Sequence, residues 1–144
     1  MRFYKESVVV HADASNIWDI FSDVKNWTDW DGGLDFVQNI GDGLVEEGVS
    51  IFVFSGGLKA TTKFTNVVKN QGFNWTAKSI LVRIEARFDI CPVENGHEVQ
   101  YRYGLGGFLG AIMNLFMKKT VQFDTLRDLN SLKALAEKVS PASQ

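Results

Sequence analysis

The sequence predicts an α+β fold in one domain: a strongly curved, seven-stranded antiparallel sheet around a long C-terminal helix, with two short helices after the first strand. Three observations carry this. The apolar period changes from two to helical near Asp13, turn-forming clusters divide the stretch from Leu34 to Leu105, and residues 108 to about 138 contain no proline and are rich in Leu, Ala, Met and Lys.

At the N-terminus, Tyr4, Val8, Val10 and Ala12 share one strand parity, whereas Ile17, Phe21 and Val24 follow helical spacing. Asp13 is placed to accept backbone N–H groups and so to cap a short helix over DASNIWDIF. Trp18 and Phe21 supply the large surface that a short helix must bury, because helix nucleation on its own is unfavourable. In IFSDVKNWTDWDGG, residues 20 to 33, Trp27 and Trp30 stand three apart, on one side of a helical turn. Trp30 reads first as closing the open end of the core with Trp27 packed nearby or partly exposed, and second as a ligand contact. Asp29 and Asp31 read as solvated turn formers.

Turn-forming clusters occur at GDG (41–43), SGG (55–57), NQG (70–72) and ENG (94–96). Between them VRIEARFDI alternates cleanly, with Val82, Ile84, Ala86, Phe88 and Ile90 on one face and Arg83, Glu85, Arg87 and Asp89 on the other. HEVQYRY repeats the pattern, placing Val99, Tyr101 and Tyr103 opposite Glu98, Gln100 and Arg102. One wet face and no helix-length gaps describe an antiparallel sheet and argue against an alternating α/β nucleotide-binding fold. VSIFVFS is apolar on both faces. One face serves the core or a pocket through Phe52 and Phe54, and the other would be covered in a homodimer or left as an apolar exterior.

From Phe108 the chain reads as one long helix. Its first half is apolar on nearly every side, from Phe108 through Ile112 to Phe116 and Met117, which calls for cover from more than one direction. Its second half narrows to Leu126, Leu129, Leu132 and Leu135. Residues 1–138 therefore form the domain, and 139–144 read as a flexible tail.

Composition excludes several classes. Fifteen basic against seventeen acidic residues, interspersed, leave a net charge of -2 and no clustered basic footprint for nucleic acid. GFLGAIMNLFM is too short to be a transmembrane segment. Cys91 is the only cysteine and His11 and His97 the only histidines, with opposite strand parities, so neither a disulfide nor a zinc cluster is expected. The start of the chain lacks the pattern of a cleaved signal, which makes the cytoplasm the default compartment. No cofactor is implied.

The order strand, two short helices, six strands and long helix resembles the helix-grip fold of the START-related, polyketide cyclase/dehydrase and plant pathogenesis-related allergen superfamily (SRPBCC-like). The matching text is VVVHADASNIWDIFSDVKNWTDW at 8–30, with Ala12, Trp18, Asp23 and Trp30 at that family's usual positions, and GGFLGAIMNLFMKKTVQFDTLRDLNSLKALAE at 106–137. The resemblance implies a sheet wrapped around the last helix and a cavity for an apolar or amphipathic small molecule. Its walls would include Ile112 and Phe116 from the helix and Tyr101 and Tyr103 from the last strand. FSGGLKA does not reproduce the longer glycine loop of the plant allergens.

Trp30, Phe52, Phe54 and Trp75 complete the candidate ligand-binding set, each with core packing as its alternative. No catalytic residue is assigned: there is no nucleophile turn of the GxSxG kind, His97 falls at a strand end, and Cys91 has no basic neighbours to activate it. The function expected first is binding or transport of a hydrophobic small molecule or lipid. A polyketide-type cyclase, aromatase or dehydratase using the same cavity, and a protein-interaction module with a filled core, are the alternatives.

Overall fold

In the computed structural model, which describes residues 1–38 and 41–139, strand β1 (Arg2–Val10) leads into helix α1 (Ala14–Ser22) and a 3-10 segment (Val24–Asp29). Strands β2 (Leu34–Gln38), β3 (Val49–Phe54), β4 (Lys59–Val68), β5 (Gly72–Lys78), β6 (Arg83–Val93) and β7 (Gly96–Gly106) follow, then helices α2 (Gly107–Phe116) and α3 (Lys118–Val139). All neighbours in the sheet are antiparallel, in the order β1-β7-β6-β5-β4-β3-β2. The sheet curls as a half-barrel around the helices, the helix-grip arrangement. Left-handed residues make the reversals where the turn chemistry places them: Gly56 and Gly57 after β3, Asn70 before β5 and Asn95 before β7.

The alternating strands face as their patterns require. Ala86, Phe88, Ile90, Val99 and Tyr103 are buried on the concave side, and the register sets Phe88 beside Tyr101 and Ala86 beside Tyr103. On β3, Phe52 is fully buried, and on the opposite face Val53 is covered within the chain while Val49 is exposed.

Two local expectations give way. The Asp13 side chain makes no capping bond; its carbonyl instead accepts from the Asn16 and Ile17 N–H groups at 3.1 and 3.3 Å. The C-terminal helix is broken at Met117, which leaves helical geometry (φ -123, ψ 21). The Asn114 amide explains the change of course. It donates to the Leu105 carbonyl at 2.9 Å and accepts from the Tyr4 phenol at 2.8 Å, which ties α2 to the end of β7 and β1. The chain must then turn before α3 can run back along β1 and α1. The expected tail, 139–144, lies outside the described residues except for the backbone of Val139.

Ile112 and Phe116, expected to face inward, are 37% and 76% exposed. The buried side of α2 is made by Leu109, Gly110, Met113 and Asn114, and the stripe Phe108–Ile112–Leu115–Phe116 points away from it. An apolar helix face was here left outside rather than covered.

Candidate functional site

The concave face is unevenly filled. At one end Trp27 is fully buried, its indole N–H donating to the Phe21 carbonyl at 2.8 Å, and its ring meets Phe52, Phe64 and Phe73 at centroid distances of 5.3 to 6.0 Å. At the other end a cavity of about 180 Å³ remains between the sheet and the C-terminal helices. Trp30, Trp75, Phe88 and Tyr101 form one side of it, and Met113 of α2 and Val121 of α3 the other.

The sheet wall is an aromatic ladder. Phe88 and Tyr101 stack at 4.0 Å and 7°, Tyr101 and Tyr103 at 4.9 Å and 21°, and Tyr103 and Tyr4 at 5.2 Å and 18°. Cross-strand pairing across β6, β7 and β1 places these rings at successive steps. Tyr103 shares a 2.9 Å hydrogen bond with Thr125 of α3. Burial pushes the Tyr103 phenol up to about 12 and the Tyr101 phenol well above its ordinary value, so both are neutral hydroxyls.

Two buried donors on side chains that line this cavity lack partners. The indole N–H groups of Trp30 (5% exposed) and Trp75 (3%) make no hydrogen bond, although the Trp75 indole lies close enough to the Tyr101 phenol to favour its ionised form. A buried indole N–H ordinarily finds an acceptor, and leaving one without costs on the order of 1–3 kcal/mol. Both side chains line the cavity, with the N–H atoms themselves closed off from it and that of Trp75 directed near the Tyr101 hydroxyl.

Its polar end is built by WDGG at 30–33 against α3. The Asp31 carboxylate accepts from the Gly33 N–H at 2.9 Å, and Asp128 accepts from the Gly32 N–H at 3.1 Å. Gly32 has no side chain to obstruct Arg127, whose guanidinium would lie 2.7 Å from a Cβ at that position. Arg127 pairs with Asp124 at 3.5 Å and Asp128 at 3.4 Å. Burial, then the neighbouring Asp128 charge, raises the Asp31 pKa from 3.8 to about 7. Burial also raises Asp128, opposed by the Gly32 N–H and Arg127. The two carboxyls titrate as a pair able to hold one proton between them near neutral pH. Among the described residues no group of three or more His, Cys, Asp or Glu side chains could hold a metal ion.

Of the residues singled out in the sequence, the cavity brings together Trp30, Phe54, Trp75, Tyr101 and Tyr103. Phe52 packs in the filled end, and Ile112 and Phe116 face outward. Trp27 is fully buried as the core plug rather than partly exposed, and Trp30 lines the cavity. His97 lies away from the cavity, its Nδ1 2.9 Å from the Ala12 carbonyl. Asp31 is a site residue as well as a turn former, and Asp128 and Thr125 were missed. A signal for both was present, because Val121, Thr125, Asp128, Leu132 and Ala136 form one helical stripe whose other members are apolar and buried.

The profile of the family described as polyketide cyclase/dehydrase and lipid transport matches residues 1–137. The chain belongs to that family. No curated protein sequence matches it. Solved structures that share its fold include the Zhui aromatase/cyclase from a Streptomyces species (15% identity, 98% of this chain and 97% of that one, TM-score 0.77). A START superfamily protein from Mycobacterium smegmatis is 19% identical over 96% of this chain and 99% of its own (TM-score 0.71). A Thermus thermophilus protein is 12% identical over 96% and 99% (TM-score 0.76). At these identities the likeness extends to the fold of this family member and no further.

Proposed function

We propose that this protein binds a small, mostly apolar molecule bearing a hydrogen-bond acceptor, seated between the sheet and α3 with its acceptor toward the Trp30 and Trp75 indoles. The observation that carries this reading is the pair of unpartnered buried N–H groups on two side chains that line one largely apolar cavity. A cavity of about 180 Å³ suits one or two fused rings, since an apolar cavity of roughly 150 Å³ accommodates benzene. Sterols and long acyl chains would need the helices around Met117 to move. The test compares 1-tetralone with tetralin, the same bicyclic frame without the carbonyl. The ketone should bind several-fold more tightly by calorimetry, because one neutral hydrogen bond contributes about 0.5–1.5 kcal/mol. Equal affinities, or no binding of either, would reject this reading.

The carboxyl pair favours a second reading, acid/base chemistry on the bound carbonyl compound. A group titrating near 7 is suited to proton transfer at neutral pH. The ionised pair would take a proton from the carbon beside the carbonyl while the indole N–H groups stabilise the enolate oxygen, a step shared by enolisation, cyclisation and dehydration. Deuterium exchange at the C2 position of 1-tetralone in D2O should accelerate with the protein and return to the background rate in Asp31→Asn. Exchange at the background rate in the parent would leave binding alone.

A further inference from the structure

The outward stripe of α2 has a near neighbour with the same character. The loop between β5 and β6 carries Ile80, 97% exposed, and Leu81, 40% exposed. It is fastened to α2 by the Leu109 N–H, which donates to the Leu81 carbonyl at 2.9 Å. Gly107, at φ +76, permits that approach, since a Cβ there would stand 2.9 Å from the same oxygen. Phe108 (69%), Leu115 (73%) and Phe116 (76%) extend the exposed apolar surface along α2. The Asn114 bonds to Leu105 and Tyr4 hold this face outward.

Charge identifies what this surface meets. From Gly104 to Phe123 there is no acidic residue, while Lys118 and Lys119 directly follow the apolar stripe, and Lys78 stands two residues before Ile80. All three lysines are exposed and without a salt-bridge partner among the described residues. In a chain whose net charge is -2, two apolar projections from distant parts of the sequence thus converge with unpaired lysines beside each. Exposed apolar side chains with lysines next to them in the chain are the chemistry of an interfacial helix on an anionic bilayer, with the rings among the acyl chains and the ammonium groups at the phosphates. A second copy of this surface would bring like charges together. None of the described helices is long and apolar enough to cross a membrane.

We propose that the α2 face and the Ile80–Leu81 loop dock this protein onto the surface of anionic lipid bilayers. Met113, on the opposite side of α2, lines the cavity, so docking would set the cavity directly beneath the lipid contact.

The test is flotation of the full chain with vesicles of phosphatidylcholine alone and of phosphatidylcholine with 30% phosphatidylglycerol. The parent should partition onto the anionic vesicles and release at high salt. Ile80→Asp, at a site too exposed to affect folding, and Leu115→Ser with Phe116→Ser should each reduce binding at least tenfold. Lys118→Gln with Lys119→Gln should reduce it on anionic vesicles by roughly 25-fold, about fivefold for each lysine. All variants should retain the parent's near-ultraviolet circular dichroism. Failure of the folded parent to float, or undiminished flotation of both Ile80→Asp and the serine variant, would overturn the proposal. Concentration-dependent dimerisation abolished by those substitutions, with no flotation, would assign the surface to a second copy instead. Binding of 1-tetralone should be the same in Ile80→Asp as in the parent, so this result stands apart from the cavity reading.

Discussion

Trp27 and Trp30 lie three residues apart in the same 3-10 turn and its exit, touch at 5.0 Å, and do different things. Trp27 has its N–H satisfied by Phe21 and its ring enclosed by phenylalanines. Trp30 faces a void, with no acceptor for its N–H. The Trp27 ring meets Phe52, Phe64 and Phe73 and its N–H the Phe21 carbonyl, whereas Trp30 shares its cavity with Asp31, Thr125 and Asp128. An aromatic lining becomes a site where polar tips are left unmatched.

The comparison can be broken most severely at Trp27. Trp27→Ala should destabilise the protein by about 3–5 kcal/mol, the range for losing a large aromatic side chain from a filled core, as measured by denaturant unfolding. A loss below about 1 kcal/mol would show that the end of the core described as filled has room to collapse.

Asp31→Asn sharpens it in the opposite direction. The folded protein holds the Asp31 proton more tightly than the unfolded chain does, so between pH 3.8 and about 7 it binds more protons and loses stability as pH rises. The substitution should flatten that slope. At pH 8 it should raise stability by something on the order of 1 kcal/mol, allowing for solvent screening of a partly buried group. A destabilised variant at pH 8 would mean that the Asp31 charge is matched by Arg127 and the Gly33 N–H.

Trp30→Phe should have the smallest effect on folding, within about 1 kcal/mol, because the lost N–H has no partner to strand. It should nonetheless weaken 1-tetralone severalfold and leave tetralin unchanged. Equal weakening of both would make Trp30 a wall without a polar role.

The sheet was legible because a half-buried strand writes its faces into the sequence. Val82 to Ile90 and Val99 to Tyr103 fixed which side chains point inward, and five of the eight candidate residues, chosen by parity or turn position, line the cavity. Helix α2 was not legible in the same way. A segment apolar all round has no contrast between its faces, so Ile112 and Phe116 could not be told from Met113; Asn114, the residue that sets the orientation, does so through Leu105 and Tyr4, which no local pattern connects to it. The carboxyl pair joins a turn after α1 to the middle of α3, and no local pattern connects Asp31 to Asp128. The polar residues within the buried stripe of α3 were the available clue, and they point to a site only once the facing wall is known.

The four tryptophans allow the central claim, that the Trp30 end is a binding site and the Trp27 end is packing, to be measured in one experiment. In a 15N-labelled sample the four indole N–H resonances should be resolved and assigned by single substitutions, then followed as 1-tetralone is added. The Trp30 and Trp75 resonances should shift downfield and exchange more slowly with solvent, while those of Trp27 and Trp18 stay in place. Binding that moves Trp27 and leaves Trp30 and Trp75 unchanged would contradict that claim.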